Sequence, residues 1–80
     1  MTREAVIEKL NEIFRDVFDD ESIEVTDEMT AEDIEDWDSL THLTMISEVE
    51  SAFGMRFKMK DISTMKNVGE MIAIICASTN

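Results

Sequence analysis

Residues 36–42 read Asp36-Trp37-Asp38-Ser39-Leu40-Thr41-His42. Acidic sequence runs up to one serine, and an apolar periodicity of three and four leaves from it: Leu40, Leu43, Ile46, Val49 and Phe53. That spacing predicts one stripe along a helix over 39–53. Gly54 is the natural stop, since glycine adopts the left-handed conformation of a helix end without steric cost. Asp38 and Ser39 are both good N-cap residues, because a side-chain oxygen can accept from a backbone N–H of the first turn. The Ser39 hydroxyl is therefore expected at an exposed helix N-terminus, where backbone donors and the helix dipole favour an attached anion. A phosphorylated or phosphodiester-linked serine fits that position. So does a capping serine with no chemistry, and Asp-Ser-Leu alone does not separate the two.

Upstream, Val6, Leu10, Ile13, Phe14 and Val17 form an apolar stripe from Thr2 to about Phe18, with Thr2 as a cap. This reads as a core helix. Asp19-Asp20-Glu21-Ser22 ends it and opens a long connection to Asp38. A structureless loop of that length is unusual in a small domain unless anchored or functional. Ile23 and Val25 are expected to pin it. Thr30-Ala31-Glu32-Asp33 has the form of a capping box, which predicts a helical turn with Met29, Ile34 and Trp37 inward.

Downstream, Met55-Arg56-Phe57-Lys58-Met59 alternates but has no second strand to pair with, so it reads as an extended link. Lys60 to about Met65 reads as a short helix anchored by Ile62 and Met65. Asn67 opens the last helix, with Glu70 placed to complete its cap and Val68, Met71, Ile72 and Ile75 facing the core. Gly69 near its start costs helix stability. Ser78-Thr79-Asn80 is expected to fray.

The 80 residues bound the answer to a single domain with a small core. The chain has no proline and two glycines, which favours helices. No apolar run approaches a membrane span. The N-terminus shows no signal-peptide pattern, and the lone Cys76 sits among Ile74, Ile75 and Ala77 as a packed thiol, so a cytoplasmic location is expected. The formal net charge is −12. Between Asp16 and Met55 there are fourteen acids and no lysine or arginine. Such a field disfavours nucleic acid and steers partners with basic docking patches, although acidity also serves solubility alone.

Asp38-Ser39-Leu40, mid-chain in a small acidic protein with three longer helices, one short one and a long first loop, resembles the acyl carrier protein family over nearly the whole length. Met65-Lys66-Asn67-Val68 before the last helix is similar to the family's approach to that helix. The resemblance implies an all-α four-helix bundle in which Ser39 carries 4′-phosphopantetheine transferred from coenzyme A by a phosphopantetheinyl transferase. It also makes Asp38 and Leu40 the flanking motif residues of the cofactor-binding site. The terminal thiol of the arm then holds an acyl or aminoacyl unit as a thioester for acyl-activating and acyl-transferring enzymes, and the carrier itself, a monomer, catalyses nothing. Leu40 is read as a partner contact and Leu43 as core edge; Ile62 and Met65 are equally open to core packing or to lining an apolar slot. The chain departs from the family at Glu35-Asp36-Trp37, where many members have glycine, and in basic Arg56, Lys58 and Lys60. These departures bear on partner identity.

Two other chemistries are poorly supported. Ser39 and His42 are neighbours at helical spacing, but a hydrolase also needs an orienting acid, an oxyanion hole and a pocket, and the chain has one histidine. An EF-hand needs glycine at the sixth loop position, and no glycine precedes Gly54. A helical interaction module without a prosthetic group remains the alternative.

Overall fold

In the computed structural model, which describes residues 2–79, four helices follow one another: α1 Arg3–Val17, α2 Ser39–Phe53, α3 Met59–Thr64 and α4 Val68–Thr79, with a 3₁₀ turn at Ala31–Asp33 between α1 and α2. No strand forms among the described residues. The all-α bundle and its long first loop are as expected.

Helix α1 packs against both α2 and α4. Its buried side chains Val6, Leu10 and Phe14 meet Met45, Ile46 and Val49 of α2 and Val68, Met71, Ile72 and Ile75 of α4. Ile13 and Val17 flank this core half-buried. The α2 stripe differs from expectation. Leu40 is 77% exposed and Leu43 57% exposed, while Met45 is fully buried. The reason is angular. Each step of three residues falls about 60° short of a full turn, so Leu40 lies about 180° round the helix from Val49. The core follows Met45, Ile46, Val49 and, at the edge, Phe53.

The helix ends are set by local chemistry. Thr2 accepts from the Ala5 N–H at 3.1 Å. α1 ends at Phe18, and the next residue, Asp19, takes a left-handed φ of 50°. Gly54 closes α2 at φ 61°, ψ 41°. In the link that follows, alternation places Met55 and Phe57 inside and Arg56 and Lys58 outside, and Glu50 Oε2 accepts the Phe57 N–H at 2.8 Å. α3 starts at Met59 and ends at Thr64, one residue ahead of the expected span at each end. α4 continues through Thr79, whose hydroxyl donates to the Ile75 carbonyl at 2.8 Å. Ser78 and Thr79 are thus helical rather than frayed, and Asn80 lies outside the described residues.

Residues 19–38 are tied down along their length. Ile23 and Val25 are buried. Arg15 Nε donates to the Ile23 carbonyl at 2.7 Å, and Asn11 Oδ1 accepts the Val25 N–H at 2.7 Å. The loop then caps α4. The N–H groups of Val68 and Gly69 donate to the carbonyls of Met29 and Asp27 at 2.9 and 3.0 Å, satisfying first-turn donors with no partner inside the helix. Arg3 pairs with Asp27 from the other side. Gly69 eases this approach: a Cβ there would lie 3.0 Å from the Asp27 carbonyl oxygen, tighter than ordinary contact. The glycine that weakens α4 in isolation is what lets the loop dock.

Candidate functional site

Asp38, not Ser39, is the N-cap of α2. Its Oδ1 accepts the N–H groups of Leu40 and Thr41, both at 3.0 Å. Thr41 Oγ1 accepts the Asp38 N–H at 2.8 Å and donates to the Asp36 carbonyl at 2.8 Å, so the box is closed in both directions. The Thr41 N–H, reinforced by the Thr41 hydroxyl and the Leu40 N–H, holds the Asp38 carboxyl below the usual carboxylate range. Ser39 is the first helical residue. It is exposed, and its hydroxyl makes no hydrogen bond among the described residues. The expectation that backbone donors of the first turn await an anion survives only at the Ser39 N–H, which has no hydrogen-bond partner among the described residues. Two of them, Leu40 and Thr41, are already held by Asp38.

The segment before Asp38 is fixed from inside. The 3₁₀ turn carries the expected capping box, with Thr30 Oγ1 accepting the Glu32 N–H and Asp33 Oδ2 accepting the Thr30 N–H. The Trp37 N–H closes onto the Ile34 carbonyl at 3.1 Å. The Trp37 ring stands edge-on to buried Phe14, centroids 5.4 Å apart at 89°, and lies 5.9 Å from Phe18. Such pairs add about 0.5–1.5 kcal/mol beyond area burial. The core of α1 thereby positions the residue next to the capping acid.

On its outer side Trp37 meets His42. The rings lie near parallel at 22° with centroids 6.0 Å apart, and Trp37 Nε1–H donates to His42 Nδ1 at 3.1 Å. Sequence reading leaves His42 open between a neighbour of a Ser39-linked phosphate and an ordinary surface residue, and misses this contact. The signal for it was only a tryptophan and a histidine flanking the cap.

Ser39, Asp38, Trp37 and His42 border a cleft of about 380 Å³ that reaches across to Ile62, Ser63, Met65, Lys66 and Asn67. Ile62 and Met65 are half-buried, pack on the core and border this cleft. Leu40 stands outside it, exposed beside the serine, and Leu43 joins it on the exposed face instead of the core edge. Among the described residues no group of His, Cys, Asp and Glu is arranged to hold a metal ion. An exposed, unbonded hydroxyl on a rigid helix start beside a cleft can be modified and can present what is attached. His42 Nδ1 is taken by the Trp37 indole N–H.

The chain is 37% identical over 71 residues to the acyl carrier protein of Streptococcus pneumoniae, covering 89% of this chain and 92% of that protein. It is 32% identical over 74 residues to the meromycolate extension acyl carrier protein of Mycolicibacterium smegmatis, covering 92% of this chain and 75% of that one. Its fold is similar to the solution structure of a holo acyl carrier protein from Geobacter metallireducens, with a TM-score of 0.86 and 37% identity over 91% of this chain and 84% of that one. No protein-family model matches the chain. The fold and site define a small helical carrier scaffold, and the chain belongs to the acyl carrier protein family.

Proposed function

We propose that residues 1–80 act as one carrier domain that bears an acyl or aminoacyl unit as a thioester on 4′-phosphopantetheine attached to Ser39. The observation that carries this reading is Ser39 itself: an exposed, unbonded hydroxyl at the start of α2, beside a cleft, in a member of this family. The residues fit such a group. Asp38 holds the helix end rigid, and the cleft borders the attachment point. Attachment forms a bond from Ser39 Oγ to phosphorus as the pyrophosphate bond of coenzyme A breaks. Adenosine 3′,5′-bisphosphate leaves and the hydroxyl proton is released at the transferase. The bound group supplies a thiol that exchanges acyl units.

The chain's own contribution is placement and recognition, with no catalytic step. Tethering keeps the cargo at high effective concentration near a docked enzyme. The acidic band from Asp16 to Glu50 steers enzymes with basic patches, and exposed Leu40 and Leu43 give them an apolar contact beside the serine. Among the described residues no helix is long and apolar enough to cross a membrane. A cytoplasmic monomer, loaded by a phosphopantetheinyl transferase and then by an acyl- or aminoacyl-activating enzyme, completes the reading. The test is Ser39→Ala. The variant is expected to keep the helical circular dichroism and melting of the wild type, because the Oγ makes no hydrogen bond among the described residues, and to take up no prosthetic group. Uptake by the variant would refute the assignment of Ser39.

A further inference from the structure

The seven basic side chains of the chain divide into two groups. Three are used by the fold. Arg3 pairs with Asp27, Lys9 donates to the Ala52 carbonyl at 3.4 Å and stands over the Phe53 ring, and Arg15 donates to the Ile23 carbonyl at 2.7 Å. The other four, Arg56, Lys58, Lys60 and Lys66, are exposed, and none forms an ion pair or side-chain hydrogen bond among the described residues. They fall between Gly54 and Asn67, a stretch that holds one acid, Asp61. Bases that only relieved the repulsion among nineteen acids would sit beside those acids, as Arg3 does.

The local structure gathers three of the four. Met55 and Phe57 are buried, so Arg56 and Lys58, alternating with them, share the outer face of the link. The Phe57 N–H on Glu50 Oε2 fixes that register. Lys60 follows in the first turn of α3, and the four residue steps from Arg56 to Lys60 reach no more than about 14 Å. Between the lysines stands Met59, 83% exposed and more open to solvent than Leu40 or Leu43. Helix stability does not explain this arrangement. Lys58 is the N-cap residue of α3 and makes no side-chain cap, where serine, threonine or aspartate would stabilise the helix.

Resting on the carrier reading of Ser39, we propose that Arg56, Lys58 and Lys60, with Met59 among them, form a second docking surface, and that the activating enzyme that loads the arm receives it on an acidic patch with an apolar recess. The acidic band from Asp16 to Glu50 attracts any basic surface and by itself admits many docked orientations. A positive strip on the same molecule needs a negative counterpart, so two patches of opposite sign set one pose. Screening at physiological salt acts over about 8 Å, short beside a molecule of 31 × 25 × 22 Å, so a partner senses the two patches separately. An enzyme whose whole rim is basic meets the strip with like charge and is disfavoured. An anionic membrane is the poorer match: α3 has six residues and one exposed large apolar side chain, against the broad apolar face of an interfacial helix. A net charge of −12 opposes both that surface and a second copy of the chain.

The probe is the activating enzyme itself, purified from an extract of the source organism by following ATP-dependent thioester formation on wild-type holo protein. The experiment compares KM and kcat for charging of the wild type and of R56E/K58E/K60E, with circular dichroism confirming the fold of the variant. Each reversal makes the carrier more acidic, so the two accounts differ in sign. An enzyme that recognises the acidic band alone takes the variant with an equal or lower KM. An enzyme with an acidic patch at the strip is expected to show a KM raised about tenfold or more with kcat unchanged. Met59→Ser leaves the charge as it is and is expected to raise KM in the same direction. A photo-crosslinking benzoylphenylalanine in place of Met59 is expected to mark an enzyme segment that carries aspartate and glutamate. An equal or lower KM for R56E/K58E/K60E overturns the proposal and leaves the carrier reading intact. So does an unchanged KM together with strip-dependent binding to phosphatidylglycerol vesicles, or with strip-dependent dimers in sedimentation velocity, which would give the strip to lipid or to a second copy. Failure of folded apo protein to gain the prosthetic group overturns the carrier reading and this proposal with it.

Discussion

Replacing Gly69 with alanine separates what a helix wants from what this fold requires. In an isolated helix the change is favourable by about 1 kcal/mol, because alanine outranks glycine in propensity. In the folded chain the added Cβ meets the Asp27 carbonyl oxygen at 3.0 Å, Asn67 Oδ1 at 3.2 Å and Asp27 Cβ at 3.3 Å. The nearest atom is backbone and cannot rotate away. Relief requires the 27–29 segment to retreat from α4. That strains the Gly69-to-Asp27 and Val68-to-Met29 hydrogen bonds and the Arg3–Asp27 pair. Overpacking costs about 1–3 kcal/mol, the strain on these hydrogen bonds included. Against the propensity gain of about 1 kcal/mol, the net expectation is a loss of about 0–2 kcal/mol, centred near 1 kcal/mol and seen as a fall in Tm of about 4 °C. Thermal melts followed by circular dichroism measure it. Hydrogen exchange at the Val68 and Gly69 amides should show the local loss of protection. A higher Tm, as propensity alone would give, would refute the claim that loop docking, rather than helix propensity, governs this position.

The same contacts give further expectations. Met45→Ala should cost about 2–5 kcal/mol, as for a fully buried methionine, whereas Leu43→Ala should stay within about 0.5 kcal/mol; urea titration of both checks the corrected face of α2. Asp19→Gly relieves a left-handed backbone at some cost in unfolded-state entropy, for a net gain of about 0.5 kcal/mol read as a small rise in Tm. Asp38 gives a pH dependence. Its carboxyl titrates lower in the folded state, so its contribution is fully present above the ordinary carboxylate pKa of about 4 and disappears as pH falls through the lowered folded value. The Tm difference between wild type and Asp38→Asn, scanned from neutral to acid, should therefore shrink as pH falls. A difference that grows toward acid would contradict the capping role of the carboxylate.

Helix ends were legible because their signals are local. Thr2, Thr30 with Asp33, and Gly54 each act through hydrogen bonds or φ values within a few residues. The face of α2 was misread because repeated steps of three rotate round the cylinder, and only the positions of α1 and α4 decide where burial stops. Loop docking onto α4 was out of reach. The carbonyls of Asp27 and Met29 that cap it are common to every residue, and Gly69 was the one visible trace. At the site, Asp38 and Ser39 were found together, but which of them caps had to come from geometry. The Trp37–His42 contact likewise depends on how Phe14 seats the indole.

The most direct test of the carrier account is the intact mass of folded apo protein before and after incubation with coenzyme A, Mg²⁺ and a broad-specificity phosphopantetheinyl transferase, with peptide mapping of the product. The account expects one phosphopantetheine group, located on the peptide that contains Ser39. A group mapped to another residue, or no gain while a known carrier in the same tube is converted, would contradict it.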